Sequence, residues 1–164
     1  MEKREILIIG AGPAGLAASV EAARTGAQVL LVDENDTPGG QLFKQIHKFF
    51  GSAQHRAGTR GIHIGKQLLE QTKEVKVELW LNTTAVGAAG DRQVALVRKK
   101  EDETAETIVV EAEKILVCCG GAENAVNFEG WTLPGVMGAG AAQTMVNVRR
   151  VLPGQRILMV GSGN

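Results

Sequence analysis

The sequence has no excess of charge of either sign. Its 164 residues contain 18 Lys and Arg against 18 Asp and Glu. This balance gives no electrostatic attraction for nucleic acid or for an acidic membrane surface, and we expect neither as a partner. The sequence also lacks an apolar run close to the roughly 18 residues that a membrane helix needs. Hydrophobic residues make up 44% of the chain, as is typical of a globular protein with a sizeable core.

Cysteine is scarce as well. Cys118 and Cys119 are the only two, and neighbours in sequence rarely bridge each other. Disulfide reductases use C-x-x-C or a longer spacing, whose geometry allows the bridge to close. We therefore interpret the pair as small packing residues at a buried strand end and expect no disulfide reductase activity. The opening residues MEKRE lead directly into a strand-like run, so we expect no signal peptide and a cytoplasmic location.

Signatures of a metal site and of a hydrolase are also missing. His47, His55 and His63 recur every eight residues, but none forms the i, i+4 pair of a helical zinc site. No serine–histidine–acid arrangement can be proposed from the spacing. We therefore expect no bound metal and assign no catalytic residue.

Glycine, in contrast, is abundant, with 21 residues. Gly10, Gly12 and Gly15 form the pattern G-x-G-x-x-G between a predicted strand and a predicted helix. The first glycine permits the tight turn, the second lets the backbone approach a pyrophosphate, and the third allows close packing of helix on strand. The helix N-terminus adds free N–H groups and a positive dipole, and Pro13 suits the first helical turn. The segment predicts a dinucleotide-binding site.

An acidic residue follows the second predicted strand. Asp33 lies 18 residues beyond Gly15 and can accept hydrogen bonds from ribose hydroxyls. It would repel a 2′-phosphate, which argues against NADP at this site. Glu34 is the competing acid, and we prefer Asp33 because it directly follows the strand. These residues do not distinguish FAD from NAD, since both contain an ADP half.

The remaining pattern predicts an α/β fold. Helices are predicted over 13–25, within 41–50, over 59–73 and over 139–150. Strands are predicted over 6–9, 28–32, 75–86, 93–99, 107–111, 114–117 and 156–160. The turn-rich and charged segments between 75 and 111 favour an antiparallel meander. We therefore expect a Rossmann-like parallel sheet that carries an antiparallel β-meander insertion.

Several motifs in this order resemble a known family. GAGPAG, LLVDEN and PGGQLF are similar to the N-terminal FAD-binding segment of flavoproteins with two dinucleotide-binding domains, the pyridine nucleotide–disulfide oxidoreductase-like superfamily. ILVCCGGAE lies where that superfamily has a strand followed by ATGA. WTLPGVMGAGAAQTM and LPGQRILMVGSGN resemble a narrower set, the FAD subunits of amino-acid and opine dehydrogenases, sarcosine oxidase and cyanide synthase. The resemblance implies that the cofactor is FAD.

The resemblance also implies roles for individual residues. Residues 11–14 would lie against the FAD pyrophosphate, and Asp33 would bind the adenosine ribose. The segment 40–42 would approach the ribityl and flavin side, and the backbone near Thr83 would meet the adenine. The complete predicted cofactor-binding set is Gly10, Ala11, Gly12, Pro13, Ala14, Gly15, Asp33, Glu34, Gly40, Gln41, Leu42, Thr83, Cys119 and Gly120.

The resemblance further implies a domain division. Residues 1–125 would be the N-terminal part of an FAD-binding domain. Residues 126–164 would be a connection and the first strand of a truncated second nucleotide-binding domain, because Gly161 and Gly163 begin a second glycine motif that ends at Asn164. NAD(P) is accordingly expected only in a full-length form.

The function implied is the FAD-binding part of an oxidoreductase. It would move two electrons between a small amine, an amino acid or NAD(P)H and an acceptor. The partners considered are a small-molecule substrate, a second copy of the chain, and an iron–sulfur or flavin partner subunit. Two alternatives stay open: a noncatalytic truncated FAD-binding module that needs the rest of the protein or a partner chain, and an NAD-dependent dehydrogenase domain.

Overall fold

The computed structural model describes residues 1–161, and the chain divides into two compact units, Met1–Gly120 and Gly121–Asn164. The domain boundary predicted between residues 125 and 126 stays a prediction. The second glycine motif lies partly outside the described residues, because it includes Gly163.

The first unit opens with a β–α–β segment. Strand β1 spans Glu2–Ile9, helix α1 spans Pro13–Arg24 and strand β2 spans Val29–Val32. The two strands are parallel, with Ile8 opposite Leu31. β2 and the second half of β1, residues 6–9, are apolar runs, as expected for parallel strands that are covered on both faces. These three elements confirm the strand–helix–strand prediction, although β1 begins four residues before the predicted 6–9 segment.

The rest of the first unit completes one mixed sheet. Helix α2 spans Gly61–Glu74, and the strands that follow are β3 (Glu78–Trp80), β4 (Thr83–Ala89), β5 (Gln93–Lys99) and β6 (Ala105–Val117). The six-stranded sheet has the order β3-β2-β1-β6-β5-β4. β3 is parallel to β2, whereas β4, β5 and β6 form an antiparallel meander. The predicted fold class, a parallel sheet with a meander insertion, is confirmed.

Two predictions of strand extent are wrong. The segment 75–86 is not one strand, because a turn separates β3 from β4, with Asn82 in the left-handed region at φ 51°. Asparagine tolerates this conformation better than most residues. The segments 107–111 and 114–117 belong to one 13-residue strand, β6. Its early part pairs with β5 and its later part with β1, so a single strand joins the meander to the parallel sheet.

Each face of the parallel strands has its own hydrophobic layer. Adjacent residues of a strand point to opposite faces, and Leu7 and Ile8 accordingly belong to different clusters. The Ile8 cluster joins the sheet to α1 and α2 through the buried side chains of Ala11, Leu16, Val29, Leu31, Leu42, Ile64 and Leu68. The Leu7 cluster joins it to the meander through Leu30, Val32, Trp80, Val94, Leu96, Val110 and Ala112. Helices α1 and α2 thus cover one face of the parallel strands, and the meander packs on the opposite face of the same strands.

The segment between β2 and α2 contains less helix than predicted. Only a 3₁₀ turn forms, over Gly40–Lys44, where a helix was predicted within 41–50. A second short 3₁₀ turn lies at Ala53–His55, in the predicted loop. The apolar residues of 41–50 are divided between core and surface, since Leu42 is buried and Phe50 is exposed.

The second unit contains one helix, α3, over Ala139–Asn147, within its described residues. The helix ends three residues before the predicted Arg150, which has a φ of 59°. The Glu123 carboxylate accepts a hydrogen bond from the Gly140 N–H at 2.9 Å. The strand predicted over 156–160 is not formed. A strand needs a hydrogen-bonding neighbour, and no described residue pairs with this segment. Nowhere in residues 1–161 is there a helix long and apolar enough to cross a membrane.

We predict that Leu96→Ala lowers the free energy of unfolding by about 2–5 kcal/mol, because it opens a cavity between meander and parallel sheet. Leu96 has no exposed surface in this layer. The matched change Val97→Ala, at the next and only partly buried position of β5, should cost about 1 kcal/mol or less. Urea unfolding followed by circular dichroism measures both. Equal costs would contradict packing of the meander on the sheet.

Candidate functional site

The tight turn between β1 and α1 is crowded by its own chain. Gly10 has a φ of +103°, and a Cβ atom placed on it would overlap the Cys118 carbonyl group at the end of β6. A Cβ on Gly15 would overlap the Gly10 carbonyl oxygen. The Gly10 N–H donates to the Val32 carbonyl oxygen at 2.8 Å. Gly10 and Gly15 therefore let β1, β2, β6 and α1 meet at one point.

Gly12 differs from the other two glycines of the motif. Its φ is −73°, a value that any residue adopts. A Cβ on Gly12 would have no atom within 4 Å from any residue other than Gly12 and its two chain neighbours. Neither backbone conformation nor packing among the described residues requires glycine at this position. The missing side chain leaves open space beside the backbone.

The N-terminus of α1 borders this space. The first intrahelical bond runs from the Leu16 N–H to the Gly12 carbonyl oxygen at 2.9 Å, so the N–H groups of Ala14 and Gly15 precede the helical ladder. No side chain caps the helix, and its first turn contains no acidic residue. The positive end of the helix dipole is left without a negative side chain of its own helix. Pro13 and Ala14 are exposed there.

Asp33 joins the end of β2 to the glycine turn. Its Oδ2 accepts a hydrogen bond from the Ala11 N–H at 2.6 Å. Its Oδ1 accepts hydrogen bonds from the backbone N–H and the side-chain amide of Asn35, at 2.9 and 2.8 Å. Glu34, the competing acid, is exposed. Asp33 is thus the acid that contacts the turn.

Thr83 lies next to Asp33 because the turn between β3 and β4 returns to the end of β2. The Thr83 N–H donates to the Asp33 carbonyl oxygen at 2.8 Å, and the Asn82 N–H donates to the Asn35 carbonyl oxygen at 3.0 Å. The Thr83 hydroxyl donates to the Leu81 carbonyl oxygen, and the side chain is 1% exposed. The Thr83 side chain and N–H are engaged within the chain.

The double glycine of the PGG segment closes onto the turn. The Gly39 N–H donates to the Ala11 carbonyl oxygen at 2.7 Å. Gly40 has a φ of +50°, and a Cβ on it would lie 3.0 Å from the Gly12 Cα. This close approach of two backbones narrows one side of the open space at Gly12.

The other residues of the predicted set lie at different depths. Gln41 is exposed, whereas the Leu42 side chain packs in the core with Ile64 and Leu68. Only the backbone of Leu42 can therefore face a ligand. Gly120 is exposed, with a φ of +72°.

The cysteine pair ends β6 beside β1. The Cys118 N–H donates to the Ile9 carbonyl oxygen at 2.7 Å, and the Cys119 Sγ lies 3.7 Å from the same oxygen. Both thiols are free. Cys118 is partly buried and packs on the helix-side cluster, but Cys119 is exposed. The interpretation of both cysteines as buried packing residues is therefore wrong for Cys119.

The structure brings much of the predicted set to one edge of the sheet, where the parallel strands end at their carboxyl side. Ligands of open α/β sheets bind at this edge. The glycine turn, Asp33, Gly40 and Thr83 meet here, and the end of β6 lies alongside. Their roles as cofactor contacts stay predictions.

Gly39 and Asn35 were not predicted from the sequence as site residues, although Gly39 belongs to the motif PGG and Asn35 to the motif DEN. Within residues 1–161, no cluster of His, Cys, Asp and Glu could hold a metal ion.

The chain is similar to curated proteins along almost its whole length. It is 34% identical to an opine oxidase subunit of Rhizobium meliloti, in an alignment that covers 97% of this chain and 31% of that protein. It is 32% identical to hydrogen cyanide synthase subunit HcnB of Pseudomonas aeruginosa, with coverage of 96% and 33%. The chain thus spans about a third of the length of these relatives.

A solved structure and a family profile agree with these similarities. L-proline dehydrogenase from P. horikoshii superposes with a TM-score of 0.79 and 26% sequence identity, over 94% of this chain and 30% of that one. The profile of the pyridine nucleotide-disulphide oxidoreductases matches residues 4–164. The resemblance inferred from the sequence motifs is confirmed. The chain belongs to the pyridine nucleotide-disulphide oxidoreductase family, a family of FAD-dependent oxidoreductases.

Proposed function

We propose that this chain binds FAD, with the pyrophosphate at the glycine turn and the N-terminus of α1. The observation that carries the proposal is the open space at Gly12. Gly10 and Gly15 are explained by contacts within the chain. Gly12 has an ordinary φ, and apart from its chain neighbours no residue has an atom within 4 Å of the point that a Cβ would occupy. Glycine at this position is explained by a ligand that approaches the backbone closely.

The surrounding groups suit a dinucleotide. The uncapped N–H groups of Ala14 and Gly15 and the positive end of α1 favour phosphate oxygens. Asp33 and the neighbouring Thr83 backbone lie where an adenosine would continue from the pyrophosphate. Gly40 borders the turn on another side, towards which the ribityl chain would extend. The family and the order of the sequence motifs favour FAD over NAD.

The bound flavin would supply hydride and electron transfer, which is the cofactor's own chemistry. The role of this chain is to hold and orient the ADP half. We assign no catalytic acid or base to it. The predicted cofactor-binding set, including Cys119 and Gly120 beside the turn, is proposed on the same basis.

For the whole protein we propose transfer of two electrons from a small amine, an amino acid or NAD(P)H through flavin to an acceptor. The names of an L-proline dehydrogenase, an opine oxidase subunit, and a hydrogen cyanide synthase subunit support an amino-acid-like donor. Two of these relatives are subunits, which supports association with a partner subunit. Residues 1–125 would serve FAD binding, and residues 126–164 would lead into a second nucleotide-binding domain.

We predict that the chain retains FAD when it is mixed with the cofactor and desalted. The measurement is the visible absorption spectrum of the protein fraction, with heat-unfolded protein as the control. A retained flavin band supports the proposal. A colourless protein that binds NADH in a separate titration would contradict it and would favour the NAD-dependent alternative.

We also predict that Gly12→Ala separates binding from folding. The added methyl group enters the open space, so FAD should be lost while the free energy of unfolding changes by about 1 kcal/mol or less. Gly→Ala at a compatible φ stabilises by about 0.4–1 kcal/mol, and this gain is offset because Gly12 is the N-cap of α1, where alanine is less favourable than glycine. Gly87→Ala, at another open glycine of ordinary φ on β4, is the matched control and should keep FAD. Gly15→Ala should instead destabilise the fold by about 3 kcal/mol, because its Cβ meets the backbone.

The readouts are FAD affinity from flavin fluorescence and unfolding followed by circular dichroism. Unchanged FAD affinity in Gly12→Ala would contradict placement of the pyrophosphate at this turn. A large loss of stability in the same variant would contradict the open space at Gly12.

A further inference from the structure

Every polar group of Asp33 has a partner within the chain. Its N–H donates to the Trp80 carbonyl oxygen at 2.9 Å, and its carbonyl oxygen accepts from the Thr83 N–H at 2.8 Å. Its carboxylate accepts from the Ala11 N–H at 2.6 Å and from two N–H donors of Asn35. If Asp33 served only to bind a ribose, its carboxylate would not need these hydrogen bonds to Ala11 and Asn35.

The contact to Ala11 fixes the direction of the turn's peptide groups. Ala11 has no exposed surface, so its N–H would be left unpaired in the interior without the Asp33 carboxylate. The Ala11 carbonyl oxygen is held by the Gly39 N–H at 2.7 Å. Because a trans peptide points its C=O and N–H in opposite directions, the Gly12 N–H points away from Gly39. Both peptide groups that flank Ala11 are therefore held before any ligand arrives.

Asn35 fixes the carboxylate that holds Ala11. Two donors from Asn35, its backbone N–H and its side-chain amide, converge on Oδ1 of Asp33. Asn35 is itself tied to the turn between β3 and β4 through the Asn82 N–H. With Oδ1 held on one side, Oδ2 stays directed at Ala11. Three donors already use this carboxylate, which offers about four acceptor sites, so its contact with Ala11 is in place whether or not a ribose hydroxyl uses the remaining site.

We propose that Asp33 is a positioning residue that sets the glycine turn for phosphate, and that Asn35 orients its carboxylate. This inference rests on the proposed function, because it states which residues hold the proposed nucleotide site in shape. It differs from a role as ribose ligand, in which Asp33 would act on the sugar alone. The two roles make different predictions for the free protein and for ligands without ribose hydroxyls.

The first experiment uses the ligand-free chain. Amide hydrogen exchange of Ala11 is measured by NMR in the wild type, Asp33→Ala, Asn35→Ala and the matched control Asp36→Asn. Asp36 is an exposed acid on the same segment whose carboxylate contacts Thr37. We expect Ala11 exchange to be about tenfold or more faster in Asp33→Ala, as for loss of a hydrogen bond to a charged acceptor. Asn35→Ala should show a smaller acceleration, and Asp36→Asn none.

Exchange at Ala11 in Asp33→Ala that equals that of Asp36→Asn would overturn the inference. Because Asp33→Ala also loses a buried contact, global stability is measured alongside by circular dichroism. Asn35→Ala keeps Asp33 in place and serves as the second variant if Asp33→Ala does not fold. Unchanged Ala11 exchange in Asn35→Ala would overturn the part assigned to Asn35.

The second experiment compares ADP with 2′,3′-dideoxy-ADP by calorimetry, on the wild type and on Asp33→Ala, which removes the acceptor for the Ala11 N–H. A positioning residue predicts that both ligands lose affinity in the variant, because the turn is disturbed whether or not the ligand has ribose hydroxyls. A loss confined to ADP would overturn the inference and assign Asp33 to the ribose alone. If the wild type binds neither these ligands nor FAD, the proposed function fails, and the exchange experiment still decides the role of Asp33.

Discussion

The close approach of backbones at Gly10 is the constraint on which the rest of the first unit depends. At this point β1 ends between β2 and β6, and the chain must turn at once into α1. The Gly10 N–H bonds to β2, and the space for a Cβ is taken by the Cys118 carbonyl group of β6. Gly15 then lets α1 begin directly over the turn. A side chain at Gly10 or Gly15 would therefore disrupt the parallel sheet, the packing of α1 on its face and the position of β6.

Two kinds of glycine therefore share one motif. Gly10 and Gly15 are needed by the fold, whereas no contact or backbone conformation among the described residues requires glycine at position 12. The network around Asp33 belongs to the same edge, because it ties the end of β2 to Ala11 and to the turn between β3 and β4. In the proposed nucleotide site, this network would hold the turn in shape before the ligand binds, which would lower the ordering cost of binding.

The sequence predicted the elements whose signals are local. The apolar runs of β1 and β2, the glycine turn and α1 follow from residue type and spacing alone. The division of 75–86 into two strands was missed because it follows from tertiary pairing: β3 pairs with β2, and β4 pairs with β5. The local sequence marks the break only by Asn82. The continuity of β6 was missed because its two halves pair with different neighbours. The bond from Ala11 to Asp33 joins residues 22 positions apart, and no pattern indicates that the acid turns towards the backbone. Leu42, placed beside the flavin by resemblance, has its side chain in the core.

An NMR titration of the nitrogen-15-labelled chain with FAD would show whether the cofactor binds at the glycine turn. We expect the largest amide shifts at Gly12, Ala14 and Gly15, followed by Gly40 and the residues around Asp33. The amides at the start of β5, residues 93–95, should not move, because Gln93 pairs with Glu111 at the opposite end of β1 from the glycine turn. Saturable shifts centred elsewhere, with the glycine turn unaffected, would contradict the account.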